Sequence, residues 1–431
     1  MNTLEQRLRR ELPELADALA NTTEHDVSLS APPAETGAFP GRPHRRRPSR
    51  VLVTGIAAAC VLVLIGGLVA VNQRRSSDDP SSADRSAASP ASFGTWDPLP
   101  DAPIEPRPYA VSAWTGSEAV FWAGSSLSRG FAHTDGAAFN PATNSWRTLT
   151  VPGWGHPGLT SVYFQGDLYA LAKGGGTRFN PTDGTWVDLP QVENMYLAAT
   201  VATDDAVWGL GPTSLNQSGQ PDITIARYQP ETDTWDYASV FEGTDDTAEI
   251  ISGLGRLETQ VVWSGEEILA WNRTQGGIAF NPSSGQWRTV AAPNAPAGAV
   301  ADGLLVVTDS GLALVAEIDQ ADSQSIWDVA VQAGDQWIWR GDRIPIDGPE
   351  TVSAVAAGDW IVLFSELQSP VTIHEPTGEW KEHVDGPLRG LTAPNTAWTG
   401  DQLVVWGGIA TASDDRSSQP TGVIWSPPAV G

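Results

Sequence analysis

The sequence predicts an all-β fold: a seven-bladed β-propeller preceded by a single transmembrane α-helix and a short cytoplasmic tail. Three observations indicate it. A pattern of an aromatic residue, Asn-Pro and Trp returns about every 48 residues, an apolar run of 21 residues carries no charge, and all 19 Trp lie beyond residue 93. Repeats of roughly 40–50 residues with short strands and turns are typical of propeller blades.

These observations divide the chain into four segments. We predict a cytoplasmic tail over residues 1–50, a transmembrane helix over 51–71, a flexible linker over 72–92 and the propeller over 93–431. The linker is rich in Ser, Asp and Ala and has no apolar periodicity, which is typical of a chain without fixed structure.

The tail carries leucines at spacings of three and four residues, which is one face of a helix. They are Leu4, Leu8, Leu12, Leu15 and Leu19. One interpretation is a helix that docks a cytoplasmic regulator. The alternative is a marginal helix without a partner, because Pro13 interrupts the pattern and an isolated helix of this length is barely stable in water.

Residues 51–71 predict the membrane span. At 1.5 Å per residue, an α-helix of this length measures about 30 Å, which matches the hydrocarbon core of a bilayer. Five arginines lie at positions 42–50, whereas three lie at positions 74–85. Because basic residues concentrate on the cytoplasmic side, we predict an inner N-terminus and an extracytoplasmic propeller. A cleaved signal peptide is the alternative, but 50 residues precede the run and no clear cleavage site follows it.

The propeller segment is strongly acidic. Residues 93–431 contain 14 Lys or Arg and 41 Asp or Glu, a net charge of −27. Binding to phosphate backbones needs clustered cations, so this composition argues against nucleic acid as a partner. The single cysteine, Cys60, lies in the apolar run, so an intrachain disulfide or a zinc site of several thiolates is impossible. We predict no metal and no cofactor.

The repeat has a fixed order of parts. AFNPATNSW (138–146) returns as RFNPTDGTW (178–186), RYQPETDTW (227–235), AFNPSSGQW (279–287) and IHEPTGEW (373–380). A second pattern accompanies it, as in SAWTGSEAVFWAG (112–124) and TAWTGDQLVVWGG (396–408). We interpret both as one four-stranded blade. The Thr-Gly turn joins strands one and two, Asn-Pro joins strands three and four, and Trp begins strand four.

The strand-four tryptophans give the number of blades. They are Trp96, Trp146, Trp186, Trp235, Trp287, Trp337 and Trp380. Seven is the best count. Six is the alternative, because the unit between Trp287 and Trp337 lacks the aromatic–Asn–Pro turn and has its first hairpin at either 302–303 or 309–311. The C-terminal TGVIWSPP predicts a third strand and FGTWDPLP (93–100) a fourth, so both ends of the domain would close one blade.

The glycine doublet after strand two, the aromatic–Asn–Pro turn and a W-x-x-L-P…R stretch together resemble the kelch repeat, as in kelch-repeat proteins and the central propeller of galactose oxidase. The matching residues are Gly174–Gly175, Gly407–Gly408, Trp96, Leu99, Pro100 and Arg107. The resemblance covers residues 93–431, although the doublet becomes Ala123–Gly124 in one unit and is missing in others. It implies a propeller with a binding role and no single ligand.

Loop lengths predict which face binds. The connections between strands two and three, and those between blades, vary in length, and in an up-and-down blade both kinds emerge on one face. Arg107 and Arg256 each precede a strand-one turn glycine by nine residues, and Arg389 lies near the equivalent place. Three guanidinium groups predict a site for a carboxylate or sulfate. Alternatively, each arginine pairs with an acid of an adjacent blade.

Five loop residues suggest an aromatic surface for a sugar or a peptide. They are Phe131, His133, Trp154, His156 and Tyr196. Alternatively, these rings fold back onto their own blades. The two histidines have no ligand spacing that predicts a metal site.

No catalytic pattern is recognisable. A galactose-oxidase-like copper site needs a cysteine bonded to a tyrosine, and Cys60 lies in the apolar run. A sialidase-like glycoside hydrolase needs a Tyr nucleophile supported by Glu, and TDGTW (182–186) lacks the blade spacing of that family.

The sequence therefore predicts a non-catalytic, single-pass membrane protein whose extracytoplasmic propeller binds a protein or a cell-surface glycan. An excess of Arg over Lys, 23 to 2, is typical of a GC-rich bacterial genome. Two alternatives stay open: a transmembrane regulator that resembles anti-sigma factors, and a sialidase-like glycoside hydrolase.

Overall fold

The computed structural model describes residues 92–428, apart from positions in their connections. The positions left out are 126–132, 150–159, 173–174, 193–194, 196, 216–220, 245–246, 248–249, 251–253, 255–258, 296–299, 301, 322–323, 335, 348–351, 385, 387 and 411–420. The tail, the membrane span and the linker up to residue 91 lie outside the described residues. Within the described part of the chain, no helix combines the length and the apolar character that crossing a bilayer requires.

Seven antiparallel sheets, here called blades 1 to 7, make up the fold. The first strand, β1 (Thr95–Pro98), belongs to blade 7. Blade 1 contains β2 (Val111–Trp114), β3 (Ala119–Trp122), β4 (Gly136–Asn140) and β5 (Ser145–Leu149). Blade 2 contains β6 (Thr160–Phe164), β7 (Asp167–Ala172), β8 (Gly175–Asn180) and β9 (Thr185–Leu189). Blade 3 contains β10 (Ala199–Ala202), β11 (Val207–Leu215), β12 (Pro221–Gln229) and β13 (Thr234–Phe241).

The remaining blades repeat this order. Blade 4 contains β14 (Gln260–Trp263), β15 (Ile268–Asn272), β16 (Gly276–Asn281) and β17 (Gln286–Ala291). Blade 5 contains β18 (Asp302–Thr308), β19 (Gly311–Ala321), β20 (Gln324–Ala333), β21 (Gln336–Trp339) and β22 (Ile344–Asp347). Blade 6 contains β23 (Ser353–Ala357), β24 (Trp360–Phe364), β25 (Val371–His374) and β26 (Glu379–Glu382). β27 (Leu391–Thr392) pairs with β30 (Ile409–Ala410) in a small ribbon, and blade 7 joins β28 (Asn395–Trp398), β29 (Leu403–Trp406) and β31 (Gly422–Ser426) to β1.

The seven-bladed propeller that the sequence predicts is confirmed. The first strands of the blades contact one another in a closed inner ring of β2, β6, β10, β14, β18, β23 and β28. The degenerate unit forms blade 5 and uses the second of its two candidate hairpins, in which Thr308 pairs with Gly311. The six-bladed alternative is therefore excluded.

The ring closes in blade 7 as the sequence predicts. β31 pairs with β29 on one side and with β1 on the other, so that Trp425 lies opposite Trp96. A strand from each end of the domain thus completes one sheet, which leaves no broken edge between blades 6 and 1.

The strand order gives the propeller two different faces. The turns between strands one and two, and between strands three and four, lie on one side, here called the turn face. The connections between strands two and three, and between blades, lie on the opposite side, here called the loop face. The chain enters β1 at the turn face, because β1 is the fourth strand of its blade.

Apolar second strands fill the space between blades. β3, β24 and β29 are buried at every position, because neighbouring blades cover both of their faces. The strand-four tryptophans cover the outer part of this core. Trp186 stacks on its strand-three partner Phe179 with ring centroids 4.3 Å apart.

Several of these tryptophans also join their blade to the one before it. The indole N–H of Trp146 donates to the carbonyl of Pro100 at 2.9 Å, and that of Trp235 donates to the carbonyl of Pro190 at 3.1 Å. Each acceptor lies four residues after the strand-four Trp of the preceding blade. The repeat length therefore fixes a hydrogen bond between blades as well as the strands within them.

Candidate functional site

Three of the eight residues that the sequence singles out for ligand binding are among the described residues: Arg107, His133 and Arg389. The other five lie outside them: Phe131, Trp154, His156, Tyr196 and Arg256. The candidate site is therefore built from the loop face where blade 7 meets blade 1.

Arg107 lies inside this junction, with only 2% of its surface exposed. Its Nη1 and Nη2 donate to the two carboxylate oxygens of Asp135 at 2.5 and 3.2 Å, and its Nε donates to the carbonyl of Glu105 at 2.8 Å. The guanidinium also lies 6.0 Å from the ring centroid of Trp406 in blade 7. A ligand carboxylate would have to displace Asp135 to reach this arginine.

The backbone around Arg107 is tied to both blades. Its carbonyl accepts from Asn395 Nδ2 at 2.6 Å and from the N–H of Gly408 at 3.0 Å, both in blade 7. Asn395 Oδ1 in turn accepts from the N–H of Ala110 at 2.7 Å. The carbonyl of Pro108 accepts from the N–H of Ser125 in blade 1 at 3.0 Å. We call these tied residues the blade 7–1 seam.

The glycine doublet is required for this close approach. A Cβ on Gly407 would lie 2.4 Å from the carbonyl oxygen of Arg107, and the residue has φ of +66°. A side chain at this position would therefore push the seam apart.

Tyr109 lies between Pro108 and Ala110 of the blade 7–1 seam, and its side chain is exposed. It has φ of +56°, in the left-handed region that a bulky residue seldom adopts, and 58% of its surface is exposed. Two further non-glycine residues of the junction share this conformation, Ala123 and Ala393. Such strain persists only where the surrounding structure enforces it, and it concentrates at functional sites.

The sequence reasoning missed Tyr109. The residue follows the Arg-Pro of the kelch-like stretch and precedes the inner strand β2 by two residues, which was the available signal. Its backbone conformation and exposure come from contacts between blades that no local pattern contains.

His133 and Asp135 flank Arg107, and the pKa of each is lowered, for different reasons. Burial and the charge of Arg107 lower the pKa of His133, whereas the hydrogen bonds from Arg107 lower the pKa of Asp135. At neutral pH the junction therefore holds a neutral imidazole beside an Arg–Asp ion pair, with His133 Nδ1 3.9 Å from Asp135 Oδ1.

Arg389 is exposed in the connection between blades 6 and 7. Its Nε donates to the carbonyl of Leu367 at 3.5 Å. The other eight arginines among the described residues each form an ion pair with Asp or Glu: Arg107, Arg147, Arg178, Arg227, Arg273, Arg288, Arg340 and Arg343. Among the described arginines and acids, Arg389 forms no such pair, so its charge is available to a ligand.

Contacts connect Arg389 to Tyr109 along the loop face. The N–H of Gly390 donates to the carbonyl of Gln368 at 3.0 Å, and the next residues form β27 of the ribbon. The other ribbon strand, β30, follows directly on Gly408, whose N–H is bonded to Arg107. Arg389 and Tyr109 therefore both belong to connections between blades, which lie on the loop face.

A separate cavity of about 460 Å³ opens on the loop face at blade 4. We call it the blade 4 cavity; it is lined by Thr247, Ile250, Thr274, Gln275, Thr289, Ala291, Ala292, Pro293, Asn294 and Val300. Among the described residues, no charged side chain lines it. Its volume lies within the range of about 300–1,000 Å³ that is usual for small-molecule sites.

Metal-ligating side chains do not converge in the described part of the chain. No three of its His, Cys, Asp or Glu side chains lie close enough together to hold an ion.

Comparison with known proteins supports the fold only. No protein-family model and no curated protein matches the sequence. One solved structure with this fold is titled "Oligogalacturonate lyase in complex with manganese". It is 11% identical in sequence, with a TM-score of 0.50, and the match covers 75% of this chain and 90% of that one. At this level of identity, the likeness shows a shared propeller and nothing about activity.

Proposed function

We propose that the propeller is a non-catalytic recognition domain of the kelch-like type, anchored in a bacterial membrane by residues 51–71. Its loop face binds a protein or a cell-surface glycan on the extracytoplasmic side. The observation that carries this proposal is Tyr109, an exposed ring on a backbone that hydrogen bonds fix from two blades. A rigid tyrosine offers a large amphipathic contact area at a low entropic cost of binding.

The topology supports the choice of face. The chain enters the propeller at the turn face, where β1 begins. Tyr109 and the connections between blades lie at the opposite, loop face. Variable loops on a rigid scaffold are the common arrangement for recognition.

The charge distribution restricts the class of partner that the domain can bind. With a net charge of −27 over residues 93–431, the domain repels polyanions at long range. Arg389 offers one exposed cation in a connection on the same loop face as Tyr109. This combination suits a partner with an isolated carboxylate or sulfate next to an apolar or sugar surface, and it disfavours nucleic acid.

Binding by Tyr109 is tested with residues 84–431, which contain every strand of the ring. The Tyr109→Gly variant removes the ring and keeps a residue suited to a positive φ. We expect binding to arrayed surface glycans or to purified surface proteins to fall at least about tenfold, the loss of one aromatic contact of about 1.4 kcal/mol or more. The midpoint temperature of thermal unfolding should not fall.

Tyr237→Ala is the matched control, because Tyr237 is similarly exposed but lies on the outer strand β13. Equal binding by wild type and Tyr109→Gly would contradict the role of Tyr109. A loss in both tyrosine variants would point to non-specific adhesion.

A sialidase-like glycoside hydrolase, the enzyme alternative that the sequence leaves open, is the second candidate. Incubation with oligosaccharides, including oligogalacturonate, followed by detection of new reducing ends separates the two. Turnover that is lost on Arg389→Ala would refute the non-catalytic proposal.

The third candidate is a transmembrane regulator that acts through Leu4, Leu8, Leu12, Leu15 and Leu19. Deletion of residues 2–20 should then abolish a cytoplasmic interaction. If every cytoplasmic interaction survives the deletion, this candidate fails.

A further inference from the structure

We propose that the blade 4 cavity is a second binding site, which takes a neutral, hydroxyl-rich ring such as a hexose unit. This proposal rests on the cavity alone and does not require binding at Tyr109. The loop lengths predict binding on this face, but no residue of the cavity is among the candidates that the sequence singles out.

The walls of the cavity are held in place by contacts outside it. Asn272 accepts the N–H of Thr274 at 3.2 Å and donates to the carbonyl of Ile250 at 3.3 Å, so it joins two lining segments. On the blade 5 side, Trp339 Nε1 donates to the carbonyl of Asn294 at 2.8 Å. A pre-formed site avoids much of the entropic cost of ordering its walls around a ligand.

The lining offers both kinds of contact that a sugar ring uses. Gln275, Thr289 and Asn294 carry amide or hydroxyl groups, which donate and accept hydrogen bonds as sugar hydroxyls do. Within the described ranges, these three side chains form no hydrogen bond of their own. Ile250 and Val300 supply apolar surface for the C–H face of a ring.

The electrostatics favour a neutral ligand over an ionised one. A charged group would lose hydration in the cavity without meeting a counter-charge among the described lining residues. Arg273, which precedes the lining residue Thr274 in the sequence, is paired with Asp302 at 2.5 Å. The net charge of the domain disfavours an anion further.

The repeat supplies a matched pair of variants for the test. Thr289 in β17 and Thr148 in β5 both occupy the third position of a Trp-Arg-Thr sequence, and both side chains are exposed. The preceding arginines form equivalent ion pairs with Glu267 and Glu118. A Thr289→Trp substitution fills the cavity, whereas Thr148→Trp adds the same ring at the equivalent place in blade 1.

The experiment measures sugar binding to the full-length protein by ligand-observed NMR and calorimetry. The neutral sugars are glucose, galactose, mannose and N-acetylglucosamine, and the charged counterparts are glucuronate and galacturonate. We expect at least one neutral sugar to bind with a Kd of about 1–10 mM, typical for a small ligand in an open site. Thr289→Trp should weaken it at least about tenfold, and Thr148→Trp and Tyr109→Gly should leave it unchanged.

Three results would overturn the proposal: no neutral sugar binding at about 50 mM, a uronate binding as tightly as its neutral counterpart, or equal losses in Thr289→Trp and Thr148→Trp. If only Tyr109→Gly lost sugar binding, the sugar would bind at the blade 7–1 seam. That result would overturn the proposal for the blade 4 cavity and would support binding at Tyr109. If Tyr109→Gly loses binding to its protein or glycan partner and still binds the sugar, the two sites are independent of each other.

Discussion

His383 makes the junction of blades 6 and 7 sensitive to pH. The residue is only 8% exposed, its Nε2 lies 2.8 Å from Thr372 Oγ1, and its ring meets the edge of Trp96 with centroids 5.8 Å apart. Trp96 belongs to β1, the strand that closes the ring. Burial, and to a smaller extent the charge of Lys381, lowers the pKa of His383 from its ordinary 6.5 to about 4.

The sign and size of the effect follow from proton linkage. The folded protein keeps the imidazole neutral at a pH at which the unfolded chain protonates it, so acid favours the unfolded chain. Stability should fall as the pH drops from 6.5 toward 4 and then level off, because both states carry the proton below that value. Between pH 7 and pH 5, these two pKa values give a loss of about 2 kcal/mol in the free energy of unfolding.

The assay is urea unfolding followed by tryptophan fluorescence at pH 7 and pH 5, for the wild type and for His383→Gln. The glutamine amide can replace Nε2 as the partner of Thr372 but does not titrate. His133 and His374, whose pKa values burial also lowers, remain in both proteins and cancel from the comparison. An equal loss of stability in both proteins between the two pH values would refute the assignment to His383.

Three further predictions concern the folded framework. Gly407→Ala should lower the free energy of unfolding by about 2–4 kcal/mol, because its Cβ would lie 2.4 Å from a buried carbonyl oxygen. Gly400→Ala should lower it by only about 1–2 kcal/mol, because Gly400 has a positive φ but no atom within 4 Å of an added Cβ. Urea unfolding of both variants measures the difference. Asp328→Asn should cost about 2–3 kcal/mol in the same assay, because the buried carboxylate accepts backbone N–H groups that an amide NH₂ would face. Trp287→Phe should lower the free energy of unfolding by about 1 kcal/mol, because it removes the hydrogen bond from the indole N–H to Ser239 Oγ at 2.9 Å. If the same substitution costs nothing more in a Ser239→Ala background, that hydrogen bond is the origin of the loss.

Much of the fold is legible in the sequence because each blade is a local unit. The aromatic residue of strand three and the Trp of strand four are close in sequence, and they pair across one hairpin, as Phe280 does with Trp287. The closure by β1 and β31 is legible for the same reason, since each terminal segment matches one part of the repeat. Repetition lets several weak local signals support one another.

The candidate site is less legible, because its parts come from different blades. Arg107 is a clear candidate in the sequence, but the partner that occupies it, Asp135, lies 28 residues away across a loop of variable length. Nothing in the spacing of the arginines separates Arg389, whose charge no described acid neutralises, from the paired ones.

The sequence by itself determined the repeat, the closing strand and the acidic charge of the domain, since each depends on residue types and their spacing along the chain; it favoured seven blades but left six open. Only the tertiary structure decided that Tyr109 is held exposed in a left-handed conformation, that Arg107 is buried and paired, and that ten described, uncharged residues line an open cavity at blade 4. Those features depend on which distant segments meet at the junctions of the ring, and the packing of whole blades sets those meetings.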